Sequence, residues 1–134
     1  MVEFTKDLCI GIDHIDKQHK TLIEYTNNLI TLGSKASNQE EIEKSLVFMG
    51  TYVLKHFAEE EAFQKLIGYP NYERHRKLHM DFIEVYQVFV ENYKKNGHSP
   101  KFITIFKNTV VAWVANHVMA EDQNIGKFYR SIKS

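Results

Sequence analysis

The chain has 134 residues, enough for a sizeable hydrophobic core, and we expect a single domain over residues 1–134. Its 17 basic residues equal its 17 acidic ones, so charge gives no reason to expect nucleic acid or membrane insertion. There is no apolar run of roughly 20 residues, no secretory-signal pattern and only one cysteine, Cys9; we therefore expect no internal disulfide and a cytoplasmic protein.

The first predicted helix starts near Asp13 or His14 and stops at Gly33. Residues 1–11 show no helical period, and we expect them to form an arm across a hydrophobic surface. The inward positions of the helix are Ile15, Leu22, Ile23, Thr26, Leu29 and Ile30. His19 lies inside that stripe, where a polar ring needs a partner.

The second predicted helix starts after Asn38, which together with Glu41 has the spacing of a capping box, and ends at Gly68. Its inward positions alternate in steps of four and three, as in helices packed at a shallow angle. They are Ile42, Leu46, Met49, Val53, His56, Glu60, Phe63 and Ile67. A histidine and a glutamate thus occupy an otherwise apolar face, whereas Glu59 and Glu61 fall off it and are expected to face water.

The third predicted helix opens at Pro70, where a missing N–H costs little, and is followed by a loop over residues 96–100. Its inward positions are Tyr72, His75, His79, Phe82, Tyr86, Phe89 and Tyr93. Those of the fourth helix are Ile103, Phe106, Val110, Trp113 and His117. Asp122 follows His117 by five residues, about 140° round an ideal helix. Either a π-type turn loosens the helix there or Asp122 reaches sideways.

Four amphipathic helices with short connections predict an all-α fold, an up-down-up-down four-helix bundle with an N-terminal arm and a short C-terminal segment. Their inward faces meet and carry a polar set: His19, His56, Glu60, His75, His79, His117 and, if it turns inward, Asp122. One buried histidine is more often a hydrogen-bonded core residue than a ligand. Five imidazoles with carboxylates, however, are very costly to bury unless a cation satisfies them.

The types of ligand atom limit which metal ions could bind here. Imidazole with carboxylate suits iron, zinc, copper or nickel, whereas calcium and magnesium prefer oxygen ligands. The set exceeds the four ligands of a structural zinc site and divides over two ions, with Glu60 and Asp122 as bridges. Two octahedral irons with a bridging hydroxide would keep one place open for a small ligand. Phe57, Trp113 and Val114 are expected to form core and an apolar pocket wall beside it.

The remaining histidines carry no such pattern. His14 and His98 fall off the inward faces of the helices. We expect both side chains to lie in solvent.

Four motifs resemble the hemerythrin family, specifically its single-domain bacteriohemerythrins. They are I-D-K-Q-H at 15–19, H-F-A-E-E at 56–60, Y-P with H-x-x-x-H-x-x-F at 69–82, and H-x-x-x-x-D at 117–122. Together they are highly specific and cover nearly the whole chain. Gln64 stands where the family often has a methionine, a departure that concerns the neighbouring packing and not the ligands.

The resemblance implies an oxo- or hydroxo-bridged centre of two iron ions. One iron would take His75, His79 and His117, the other, with the open place, would take His19 and His56, and Glu60 and Asp122 would bridge them. Trp113 and Val114 resemble the pocket wall that controls access in this family.

The function that the resemblance implies is reversible binding of dioxygen. We expect an oxygen carrier or store, not an enzyme, with an oxygen-consuming enzyme as recipient. Two other classes stay open: a module sensing oxygen, nitric oxide or redox state, and a di-iron oxidase, peroxidase or nitric oxide reductase. Sensors of the family are usually fused to a signalling domain, and none fits in this chain. Ferritin-like oxidases use Glu-x-x-His pairs in carboxylate-rich sites, unlike the histidine-rich pairs here.

Overall fold

A computed structural model shows four long helices, and it describes residues 3–34, 39–97, 99 and 101–133. The first helix spans Asp13–Ser34, the second Gln39–Ile67 and the third Tyr72–Asn96. The fourth is one continuous run of helical turns made of Phe102–Phe106, Lys107–Val111, Ala112–Asn116, His117–Asp122 and Gln123–Lys133. Its last part is the C-terminal segment, which extends the fourth helix.

Helices that follow one another in the chain lie side by side in the bundle. The first packs against the second and the second against the third, and both the first and the third contact the fourth. Within the described ranges the regular structure is entirely helical. The predicted all-α four-helix bundle is confirmed. Among these residues, no helix combines the length and apolar character needed to cross a bilayer.

The helix ends differ from the prediction in detail. Gly68 follows the second helix with a φ of 70°, the left-handed conformation common after a helix. Gly33, predicted as a stop, lies inside the first helix, where its backbone packs on the side chain of Phe102. Pro70 lies in a turn before the third helix instead of opening it. The predicted cap Asn38 lies outside the described residues, as does His98.

The N-terminal arm lies on the last part of the fourth helix. Gln123 Nε2 donates to two carbonyls of the arm at 3.0 Å, and Arg130 Nη1 donates to the carbonyl of Ile10 at 2.7 Å. Gly126 allows this approach, because a Cβ there would come within 2.0 Å of the Ile10 carbonyl oxygen. The arm is therefore held by hydrogen bonds and by backbone contact.

The apolar core has two parts. The larger cluster draws on all four helices and includes Leu22, Val53, Phe82 and Val114. The smaller one joins the arm to the helix ends and consists of Ile10, Ile12, Ile15, Tyr69 and Ile125. On the first helix, His19 lies between Ile15 of the smaller cluster and Leu22 of the larger one, and on the fourth, Asp122 lies between Val118 of the larger cluster and Ile125 of the smaller one. The polar set is therefore enclosed by apolar layers on both sides.

Candidate metal centre

The predicted ligands all lie together in the middle of the bundle. Each is buried, from 0% exposure at Glu60 and Asp122 to 6% at His117. The first helix supplies His19, the second His56 and Glu60, the third His75 and His79, and the fourth His117 and Asp122. Pairs four residues apart share one helix face, which is why the second and third helices each contribute two.

The first oxygens of the two carboxylates together contact a group of three histidines, His75, His79 and His117. Glu60 Oε1 lies 2.8 Å from His75 Nε2 and 3.1 Å from His79 Nε2. Asp122 Oδ1 lies 3.0 Å from His75 Nε2 and 3.1 Å from His117 Nε2.

The second oxygens of the two carboxylates together contact the remaining two histidines. Glu60 Oε2 lies 3.4 Å from His19 Nε2 and 3.3 Å from His56 Nε2, and Asp122 Oδ2 lies 3.0 Å from His19 Nε2. Within each of the two groups the ligand atoms lie within 4.8 Å of one another. Glu60 and Asp122 thus belong to both groups, as two carboxylates bridging a pair of cations would.

Many of these close atoms are not aligned for hydrogen bonding to each other. His19 Nε2 and Asp122 Oδ2 are 3.0 Å apart, yet neither atom has a hydrogen-bond partner among the described residues. Glu60 Oε2 and His79 Nε2 also lack a hydrogen-bond partner there. Buried polar atoms left in this state cost roughly 1–3 kcal/mol each. Cations at the two convergence points would satisfy them all, so the residues present fit a metal pair.

The electrostatics of the set favour positive charge. Burial lowers the pKa of His19, but Asp122 and Glu60 outweigh burial and raise it to about 10. Burial likewise lowers the pKa of His75, and the same two carboxylates raise it to about 9. Burial raises the pKa of Glu60, yet the surrounding imidazoles hold it well below its usual range. Burial and Glu60 raise the pKa of Asp122, but His117 and His19 hold it below its usual range. Both carboxylates are therefore anionic, and a metal ion would have to displace the protons that they attract.

A π-helical turn brings Asp122 into the site. The segment His117–Asp122 is π-helical, and i to i+5 pairing places residues five apart on one face. Asp122 Oδ1 consequently lies 3.1 Å from His117 Nε2. Of the two alternatives that the spacing left open, the π-type turn is present. A second π-helical segment, Lys107–Val111, had no signal in the sequence.

Two of the three predicted wall residues, Phe57 and Trp113, lie against imidazoles. Phe57 stacks on His79 with ring centroids 3.8 Å apart, and Trp113 stacks on His117 at 4.4 Å. Both stacked histidines belong to the group of three. Phe57 also reaches the group of two, since its ring centroid is 5.9 Å from that of His56. Val114 is buried in the larger cluster, whereas Trp113 is half-buried.

Two contacts around the ligands were not predicted. His79 Nδ1 lies 2.9 Å from Glu61 Oε2, and His56 Nδ1 lies 2.7 Å from Gln18 Oε1. The Gln18 amide nitrogen donates in turn to Glu59. The expectation that Glu61 faces water was therefore wrong, because its side chain is only 21% exposed and holds an imidazole. Glu59 is exposed, as expected, but is paired.

The signal that could have found these contacts is chemical. Ligand histidines usually donate their second ring N–H to a carboxylate or carbonyl. Gln18 and Glu61 each directly neighbour a ligand in the sequence, so each was a possible partner. His14, by contrast, is exposed as expected.

The helices form a four-helix bundle, and it encloses two groups of imidazoles that share two carboxylates. This fold and site together define a cation-binding helical bundle. The family model described as the Hemerythrin HHE cation binding domain matches residues 10–129. The chain belongs to the hemerythrin family, and the resemblance seen in the motifs is confirmed.

Curated relatives from bacteria match over most of their length. A bacteriohemerythrin of Campylobacter jejuni (strain 81-176) is 29% identical over 129 residues, 92% of each chain. One of Stenotrophomonas maltophilia is 33% identical over 121 residues, 87% of this chain and 74% of the relative. One of Clostridium acetobutylicum is 30% identical over 118 residues, 85% of this chain and 90% of the relative.

Proposed function

We propose that this protein holds two iron ions, bridged by an oxo or hydroxo group, and binds dioxygen reversibly as a carrier or store that supplies an oxygen-consuming enzyme. The observation that carries the proposal is the way Glu60 and Asp122 span two groups of histidines. One oxygen of each lies near histidines of the group of three, and the other lies near histidines of the group of two. Membership of the hemerythrin family and the name bacteriohemerythrin shared by its relatives support it.

Iron is the metal that best fits both the donors and the task. Imidazole with carboxylate also suits zinc, copper and nickel, but zinc has no redox chemistry. Bound here, an iron pair would supply electrons and an open coordination place for dioxygen. The unequal division of ligands would determine where that place lies: His19 and His56 would hold one ion with fewer protein ligands than the three histidines that would hold the other.

The residues around the centre favour binding over turnover. Phe57 and Val114 are buried, so the wall is apolar and excludes water. Among the described residues, the polar groups that contact the outer ring nitrogens, Gln18 and Glu61, are both engaged in hydrogen bonds. An enzyme would need an acid or base poised to move a proton to its substrate, and these contacts offer none. We therefore propose a protein that is not an enzyme.

The test is a cycle of oxygenation. The purified protein is reduced without oxygen, its iron content is measured, and visible spectra are recorded as oxygen is admitted and removed repeatedly. We expect two irons per chain and a colour that appears with oxygen and disappears on its removal. Rapid irreversible oxidation would contradict the carrier proposal and favour the sensor or enzyme class. Protein with His14→Ala, which changes an exposed histidine, serves as a control for specific loading.

A further inference from the structure

The two groups of histidines are held from outside by side chains of different charge. In the group of three, His79 turns Nε2 toward the centre, so Nδ1 carries the proton and donates to Glu61 Oε2 at 2.9 Å. In the group of two, His56 likewise donates from Nδ1, here to Gln18 Oε1 at 2.7 Å. One acceptor is a carboxylate and the other is a neutral amide.

Both acceptors are fixed in place. The amide nitrogen of Gln18 donates to Glu59, which leaves the amide oxygen facing His56. The other carboxylate oxygen of Glu61, Oε1, lies 3.9 Å from Arg76 Nε. The Arg76 side chain is 50% exposed, whereas Glu61 is 21% exposed. The carboxylate charge is thus closer to the imidazole than to its cationic neighbour and is only partly screened by water.

An anionic acceptor strengthens a histidine ligand more than an amide does. It draws the Nδ1 proton outward and raises the electron density on Nε2, so the ligand is more basic and stabilises the oxidised metal. A neutral acceptor orients the ring with a smaller electronic effect. The same imidazole chemistry therefore gives two different ligand strengths in this chain.

We propose that Glu61 and Gln18 are positioning residues that make the two ions electronically unequal, Glu61 strengthening His79 as a donor and Gln18 leaving His56 as an ordinary neutral ligand. The inference rests on the proposed di-iron function and adds the residues that set its reduction potential. The proposal predicts that the charge of these two side chains sets the reduction potential of the iron centre and how firmly it retains iron. A contact that only supported the fold would not make either property depend on that charge.

The first variant is Glu61→Gln, which keeps a hydrogen-bond acceptor of the same shape and removes the charge. We expect a higher midpoint potential of the iron centre, with unchanged iron content and an unchanged melting temperature of the metal-free protein. Glu61→Ala should in addition bind iron about 10–100 times more weakly in competition with a chelator, the range for lost outer contacts of metal ligands.

The matched control is Glu121→Gln. Glu121 is 22% exposed, neighbours the ligand Asp122 as Glu61 neighbours Glu60, and pairs with Arg74 instead of an imidazole. Its neutralisation removes the same charge at the same exposure. We expect a smaller shift in midpoint potential than in Glu61→Gln. An equal shift would overturn the proposal, because the loss of any nearby negative charge would then explain it without the hydrogen bond to His79.

A second variant tests the other group. The double substitution Q18E/E59Q keeps the hydrogen-bonded pair and the net charge but moves the carboxylate onto His56. We expect a lower midpoint potential than in the wild type. If wild-type protein holds two irons while both E61Q and Q18E/E59Q leave its potential unchanged, this inference fails alone. If wild-type protein holds no iron pair, the proposed function itself fails.

Discussion

His75 is the residue on which the two carboxylates most directly converge. Its Nε2 lies 2.8 Å from Glu60 and 3.0 Å from Asp122. We predict that His75→Ala abolishes two-iron loading and lowers the stability of the protein, by about 1–3 kcal/mol for each buried group left unpaired. Iron analysis and denaturant unfolding measure both effects. Wild-type iron content and colour in this variant would show that the ligand assignment is wrong.

A substitution of Val114 tests the predicted apolar wall of the oxygen pocket. Its side chain is 4% exposed, and Val114→Ala removes about 1.6 kcal/mol of apolar burial at about 0.8 kcal/mol per methylene. We predict that the wider access for water speeds decay of the oxygenated spectrum. Val110→Ala removes the same atoms from a fully buried position one turn earlier in the helix. Equal decay rates in the two variants would remove Val114 from the wall.

Gln64 carries a buried side-chain amide without hydrogen-bond partners among the described residues. It is 0% exposed. We predict that Gln64→Met, a swap of similar length, raises the free energy of unfolding by about 1–3 kcal/mol, because an unsatisfied buried amide is removed. Urea unfolding of the metal-free protein gives the measurement. A loss of stability would instead indicate a buried water that the amide holds.

Among the helices, spacing predicted the inward faces well because burial imposes a period of three and four residues. Predicted positions such as Ile42, Leu46 and Phe82 are fully or almost fully buried. At the ends of the inward stripes the prediction weakens, since Phe63 and Ile67 are only half-buried. A repeating pattern predicts which face of a helix points inward. How far along that face the core extends depends on where the neighbouring helices end.

The fourth helix shows what spacing alone cannot decide. A separation of five between His117 and Asp122 fits either a π-helical turn or a side chain that reaches sideways. The choice depends on contacts with other helices, because Asp122 lies against His19 and His75 as well. Glu61 was missed for a similar reason. Its partner His79 lies on a neighbouring helix, and a one-dimensional pattern carries no lateral contacts.

The close approach of the arm to the fourth helix yields a prediction about Gly126. A Cβ there would lie 2.0 Å from the Ile10 carbonyl oxygen. Alanine is favoured over glycine within a helix by about 1 kcal/mol, but forced overpacking typically costs about 1–3 kcal/mol, and here the obstacle is backbone. We predict that Gly126→Ala lowers the melting temperature and exposes the arm to proteolysis. Asn124→Ala, at an exposed position nearby, should do neither; equal behaviour of the two would contradict the contact.

Across the whole molecule, the polar set lies between two apolar clusters that hold the four helices together. The clusters explain how one small bundle can bury so many imidazoles and carboxylates without losing its fold. They also fix the distance between the two groups of histidines, because each helix contributes to both the core and the centre. The fold therefore presents the two adjacent groups of histidines, with the carboxylates that they share, as one preformed unit.

The central claim is that two ions lie side by side, with Glu60 and Asp122 spanning them. Anomalous X-ray scattering at the iron edge from crystals of the iron-loaded protein tests it most directly. We predict two iron peaks in each chain, one bound by His75, His79 and His117 and the other by His19 and His56. A single peak, or peaks away from these side chains, would contradict the account.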